Sequence, residues 1–206
     1  MHLTEAVLAP LRKRYGEPAL LRWEGEVSEQ EFRLAGSSPE RRHDVTFFVF
    51  DPRGRLALIQ KPSYPAGVWR PPGGGVRADE AFEAGVQREA VEELGVHIEL
   101  ERFLVSSEAT FRWGESVIDW RTHVFSARTE AEELDPIDTR EISAARWGTA
   151  EELGGPLREA LLATGRALWR YRVALHDAAL DTLSHDPGTV PRPAPRPRPA
   201  SGSPME

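Results

Sequence analysis

The chain contains no cysteine among its 206 residues. Disulfides, thiolate-bound zinc and a cysteine nucleophile are therefore excluded, and the lack fits a cytoplasmic protein. Basic excess is missing too. The formal net charge is −7, so the chain lacks the positive surface of a general nucleic-acid binder, and no nucleic-acid partner is expected. No apolar run approaches the ~20 residues of a membrane helix, so no membrane partner is expected either. The opening MHLTEAVLAPLRKRYG has no continuous apolar core with a cleavage site, which predicts no secretory signal. With 40% hydrophobic and 29% charged residues, the chain is globular in composition and long enough for one domain with appendages. An acidic chain that handles anionic substrates needs local basic side chains or a bound cation.

Residues 3–15 place Leu3, Val7, Leu8 and Leu11 at roughly helical spacing, predicting a short amphipathic helix. ALLRWEGEV and EFRLAG each read as a short strand, and SSPERRHD as a polar connection. VTFFVF (45–50), β-branched and aromatic, suits a buried strand; DPRG turns the chain, and RLALIQK completes a hairpin over 45–61. HIELERFLVSSEATFRW and SVIDWRTHVFSA supply two or three further strands, TEAEELDPIDTRE an acidic loop and ISAARW a closing strand. TAEEL opens a helix with Thr149 as N-cap and Glu152 three residues on. A longer amphipathic helix follows over 156–180. From about residue 184, DPGTVPRPAPRPRPASGSPME cannot bury enough surface to order itself and is expected to be disordered. The chain thus divides into an N-terminal extension (1–40), whose helix and short strands either join the fold or form a homodimer interface, a main domain (41–183) and a tail (184–206).

The chemistry concentrates in RPPGGGVRADEAFEAGVQREAVEELGV, residues 70–96. The glycines let the main chain approach a ligand closely. Asp79 is placed to cap the helix that follows, Glu80 lies in its first turn, and Gly95 is its stop. Glu89, Glu92 and Glu93 share one helical face at i, i+3 and i+4. Exposed like-charge pairs at that spacing cost about 0.2–0.5 kcal/mol each. A hard divalent cation removes the penalty, because it prefers several oxygen ligands. A solvated acidic helix face is the plainer reading of the three glutamates alone.

By position the stretch runs Gly74, five residues, Glu80, seven residues, Arg88-Glu89-Ala90, one residue, Glu92-Glu93, one residue, Gly95-Val96. It resembles the Nudix box, GX5EX7REUXEEXGU, where U is a bulky aliphatic residue. All seven fixed residues match, and chance agreement in a chain this long is on the order of 10⁻⁶. Trp69 and PPGG resemble the family's usual lead-in. Ala90 departs from the pattern, being smaller than the aliphatic residue normally there.

The resemblance implies an α+β fold, an α/β/α sandwich with a mixed β-sheet, over about residues 44–154. It implies hydrolysis of a phosphoanhydride in a nucleotide derivative with Mg²⁺ or Mn²⁺. Glu89, Glu92, Glu93 and the Gly73 carbonyl are then the metal ligands; Gly74, Glu80, Arg88 and Gly95 are structural, with Glu80 bridging to Arg88. The general base varies among members. Glu89, Glu92 and Glu141 are candidates, and Glu132, Glu133, Asp135 and Asp138 share the acidic loop of Glu141. Arg42, Lys61 and Arg70 are candidates to meet phosphates, and Trp69 or Trp113 to stack on a base, against the alternative of solvated cations and core aromatics. Trp120, Trp147 and Trp169 read as core. His43 and His123 read as structural. Residues 105–114 lack the proline common in members acting on ADP-ribose, and no other substrate signature is present. The alternative function is a non-catalytic, nucleotide-binding Nudix domain with a regulatory role. A prenyl diphosphate isomerase, which shares the fold but uses a cysteine, does not fit a chain without one.

Overall fold

VTFFVF becomes the middle of a sheet because both of its faces are covered. In the computed structural model, which describes residues 3–37, 42–77 and 79–185, the run lies in β2 (His43–Phe50). This strand pairs in parallel with β6 (Ser116–Arg128), and antiparallel with β3 (Leu56–Gln60) and β4 (Gly73–Gly74). Antiparallel to β6 runs β5 (Glu99–Trp113), and parallel to β5 runs β1 (Ala19–Glu26). The far edge is β7 (Ala144–Gly148), antiparallel to β3. The order is β1-β5-β6-β2-β3-β7, with β4 beside β2. The sheet is mixed, as the sequence predicts.

Alternation along β2 sends Val45, Phe47 and Val49 to one face and Phe48 and Phe50 to the other. The first face is covered by α1 (Glu5–Tyr15) and α3 (Phe82–Leu94), through Leu8, Leu11, Phe82, Val86, Ala90 and Leu94. On the second face lie α2 (Glu29–Gly36), α4 (Ala150–Gly154), α5 (Pro156–Ala163) and α6 (Ala167–Ser184). The result is an α/β/α sandwich. Phe47, Phe48 and Phe125 are fully buried, and each such side chain contributes about 1.5–3 kcal/mol of transfer free energy. Ala90 is fully buried as well.

Three local expectations give way. EFRLAG is the body of α2, not a strand, because Ser28 and Glu31 form a capping box: the Glu31 amide donates to Ser28 Oγ and the Ser28 amide to the Glu31 carboxylate. Asp79 is not the cap of α3. That helix starts at Phe82 after an extended Ala81 with no side-chain cap bond, since Glu80 is drawn back to the Arg77 amide and to Arg88. The helix foreseen over 156–180 is two, α5 and α6. Thr164 breaks it by donating its hydroxyl to the Leu161 carbonyl and accepting from the Arg166 amide. Thr149 does cap α4, accepting from the Glu152 amide. The tail expected to be disordered lies outside the described residues from 186 onward, as do 38–41 of the polar connection and Ala78.

One buried carboxylate ties the N-terminal segment to the last helix. Glu31 is only 4% exposed, accepts from the Leu168 amide at the start of α6 (2.9 Å), and lies 3.9 Å from Arg166. Burial pushes its carboxyl up, but the Leu168 amide and the Ser28 hydroxyl and amide outweigh that and hold it below the ordinary carboxylate range.

Candidate active site

The glycine-rich loop is pinned to the central strand before it reaches the helix. The Phe47 amide donates to the Pro72 carbonyl (3.0 Å), and Gly73 and Gly74 pair with Thr46 and Val45. From this anchored position the Gly73 amide donates to Glu93 Oε2 at 2.7 Å. Gly74 lies directly against the Glu89 carboxylate, so that a Cβ there would overlap it. Loop and helix face are thus one unit.

Arg88 locks that unit. Its guanidinium donates to Glu80 (2.8 Å), the Gly75 carbonyl (2.8 Å), Glu89 Oε1 (2.9 Å) and Glu92 Oε2 (3.0 Å). The hydrogen bond from Arg88, opposed by burial, holds Glu80 below the ordinary carboxylate range. Glu89 moves the other way. Burial pushes it up, Arg88 opposes this, and the negative charges of Glu93 and Glu92 add to it.

Glu93 and Glu141 meet at Lys61, the residue that follows β3. The ammonium lies 3.0 Å from Glu93 Oε1 and 2.9 Å from Glu141 Oε2. Burial pulls Lys61 down, but Glu93, the larger of the opposing influences, and Glu141 raise it above its ordinary value. Glu141 reaches this place because the acidic loop docks on the C-terminal end of α3. The Asp135 amide donates to the Leu94 carbonyl (2.9 Å), and those of Ile137 and Asp138 to the Glu92 carbonyl (3.1 and 2.9 Å). Orphan carbonyls at the helix end are thereby satisfied. Gly95, left-handed at φ 74°, is the residue this docking requires, since a Cβ there would overlap the Asp135 carbonyl oxygen. The other loop acids are engaged differently: Glu132 pairs with Arg53 (3.2 Å), and Asp138 turns the chain by accepting from the Arg140 and Glu141 amides.

The remaining candidates are placed as follows. Arg70 is buried, with its guanidinium bonded to the Tyr64 hydroxyl and the Pro71 carbonyl. Trp69 is half-buried, with the Arg146 guanidinium 4.7 Å from its ring centre. Arg42 is half-buried at the start of β2, where its carbonyl accepts from the Arg121 amide. Trp113 lies apart at the end of β5, 5.8 Å from Phe32. His43 and His123 stack face to face on the sheet, and burial, reinforced by His43, pushes His123 down to about 3. Sequence reasoning missed Tyr64, which steadies Arg70, and the cluster behind β2 in which Asp44 pairs with Arg172 (3.4 Å) while Arg172 donates to Thr46 (2.9 Å). No sequence signal marks that cluster, because strand and helix are far apart in the chain.

Several carboxylates and a main-chain loop on one rigid support form a hard-oxygen donor set, which fits Mg²⁺ or Mn²⁺. Among the described residues no three acidic or histidine side chains are grouped as they stand to hold an ion. Arg88 and Lys61 lie between them and carry the compensating charge.

A family model described as the NUDIX domain matches residues 40–168. The chain belongs to the Nudix family of hydrolases. The match begins just before β2 and ends inside α6, leaving α1, β1 and α2 outside it. No match was found among curated proteins. Among solved structures, a Nudix-family hydrolase from Clostridium perfringens is 23% identical with a TM-score of 0.41, over 55% of this chain and 84% of that one. The NUDIX domain of Shewanella oneidensis NrtR, solved with ADP ribose, is 22% identical with a TM-score of 0.43, over 61% and 86%. The E. coli ORF135 protein is 19% identical with a TM-score of 0.46, over 73% and 98%. In this Nudix chain no helix among the described residues is long and apolar enough to cross a membrane.

Proposed function

We propose that this Nudix hydrolase cleaves a phosphoanhydride bond in a nucleoside diphosphate derivative or nucleoside triphosphate by water attack, with Mg²⁺ or Mn²⁺ as cofactor. The observation that carries the reading is the placement of Glu89, Glu92 and Glu93 on one helix, braced by Arg88 against the loop they face. A structural helix face gains nothing from such crowding.

In this reading Glu89, Glu92, Glu93 and the Gly73 carbonyl hold the metal. Once bound, the metal neutralises phosphate oxygens and lowers the pKa of its water. The chain's own residues do the rest. Arg88 and Glu80 keep loop and helix at fixed separation, which preorganises the donors before substrate arrives. Glu89, Glu92 or Glu141 accepts the proton from the attacking water. Lys61 and Arg42 supply positive charge toward the phosphates, Arg70 acts from beneath the loop, and Trp69 borders the base.

The test is formation of the nucleoside monophosphate and its co-product, resolved by chromatography, from a panel of nucleoside diphosphate derivatives and triphosphates with Mg²⁺, comparing the wild type with Glu92→Gln. Turnover of one compound that collapses in the variant supports the reading. Nucleotide binding without turnover, unaffected by chelation, replaces it with a regulatory nucleotide-binding domain.

A further inference from the structure

The chain uses arginine almost everywhere it needs a cation. Only two of its 26 basic residues, Lys13 and Lys61, are lysines. One of those two lies in the centre of the site, with its side chain 20% exposed and its ammonium shared between Glu93 and Glu141.

The position needs a cation. Glu93 is 3% exposed, and apart from Lys61 the Gly73 amide is its hydrogen-bond donor. An ionised carboxylate so placed requires positive charge beside it. Yet Glu93 belongs to the proposed metal site, where an ammonium and a divalent cation compete for the same lone pairs and repel each other. The two cations in the site differ in how firmly they are held. Arg88 is fastened to the Gly75 carbonyl and three carboxylates at once, so removing it would free the loop. Among the described residues the Lys61 ammonium pairs with Glu93 and the largely exposed Glu141. An ammonium on a four-carbon stem is a compact point charge that swings away readily, whereas a guanidinium forks onto its partners.

We propose that Lys61 is a displaceable internal counter-ion. It holds the acidic loop and α3 together through Glu141 and Glu93 before the divalent cation arrives, gives up Glu93 as the cation enters, and turns its ammonium toward the substrate phosphates. The inference rests on the metal-dependent reading above. It couples the departure of Lys61 from Glu93 to metal entry.

The scarcity of lysine makes the test direct. With both lysines isotopically labelled in the full-length protein, saturation with Mg²⁺ moves the Lys61 side-chain NMR signal and leaves that of Lys13 in place. In parallel, Mn²⁺ titrations followed by EPR give about tenfold tighter binding for Lys61→Met, which lacks the competing charge. They give weaker binding for Lys61→Arg, which keeps the charge and grips harder. A stationary Lys61 signal in a wild type that binds metal, or a folded Lys61→Met that binds Mn²⁺ no more tightly, overturns this inference alone. No Mn²⁺ binding by the wild type overturns the metal-dependent reading together with it. The NMR arm uses unmodified protein, so the test does not depend on any variant folding.

Discussion

Gly74 and Glu89 occupy adjoining space so closely that the backbone of one leaves room only for the carboxylate of the other. The loop is held by β2 and the helix by the core beneath it, so neither backbone has freedom to retreat. The glutamate's position is therefore set by a missing side chain.

Gly74→Ala tests this relation. The new methyl meets the end of a flexible side chain, which moves aside cheaply, so stability falls by less than about 1 kcal/mol. Activity falls much further, about 10²-fold, because a group displaced by roughly 1 Å loses its catalytic geometry. Thermal melting and kcat/KM on the same sample separate the two effects.

Arg88→Ala should lower stability and activity together. It removes bonds to four acceptors and leaves Glu80, Glu89 and Glu92 without their shared cation. Truncating one partner of a largely buried network costs about 3 kcal/mol. Denaturant melts in the presence of a chelator are the measurement, with loss of most activity accompanying it.

Glu31 gives a pH signature remote from the site. Its folded carboxyl lies below its unfolded value. Its contribution is thus fully present above the ordinary carboxylate range and is lost as pH falls through the lowered folded value. Glu31→Gln is predicted to cost about 2 kcal/mol at neutral pH, the scale of buried charge-assisted bonds. The gap between variant and wild type narrows progressively on acidification below about pH 4.5. Melting both proteins from pH 7 to pH 3 checks the sign.

Within the site, Glu92→Gln is expected to lower kcat/KM by about 10²–10⁴, and Glu141→Gln to do the same only if Glu141 is the base. Chelation abolishes turnover of the wild type, and Mg²⁺ restores it. A pH–rate profile for each variant identifies the base as the residue whose replacement removes the acidic limb.

The contrast between box and flanks shows what a sequence makes legible. Glu89, Glu92 and Glu93 were readable because their spacing places them on a common face of one helix, Gly95 because glycine stops a helix, and Glu80 and Arg88 through the resemblance to the Nudix box. The central strand was readable from VTFFVF, whose composition already answers to burial on both sides. EFRLAG was misread although the signal was there: Ser28, three residues before its opening Glu31, forms a capping box with that glutamate. Asp79 was misassigned because Glu80, drawn to Arg88, outcompetes local capping preference.

What the sequence alone determined is therefore local: the box, the helix that carries it and its glycine stop, because hydrogen bonds and periodicity act over a few residues. Tertiary structure decided the rest. Docking of residues 135–138 onto the end of α3, the bridge from Lys61 to Glu93 and Glu141, and the seating of Glu31 on α6 each join segments distant in the chain. Such contacts form only where packing brings buried charges and unsatisfied carbonyls within reach of a partner, and no spacing along the chain records which partner that is.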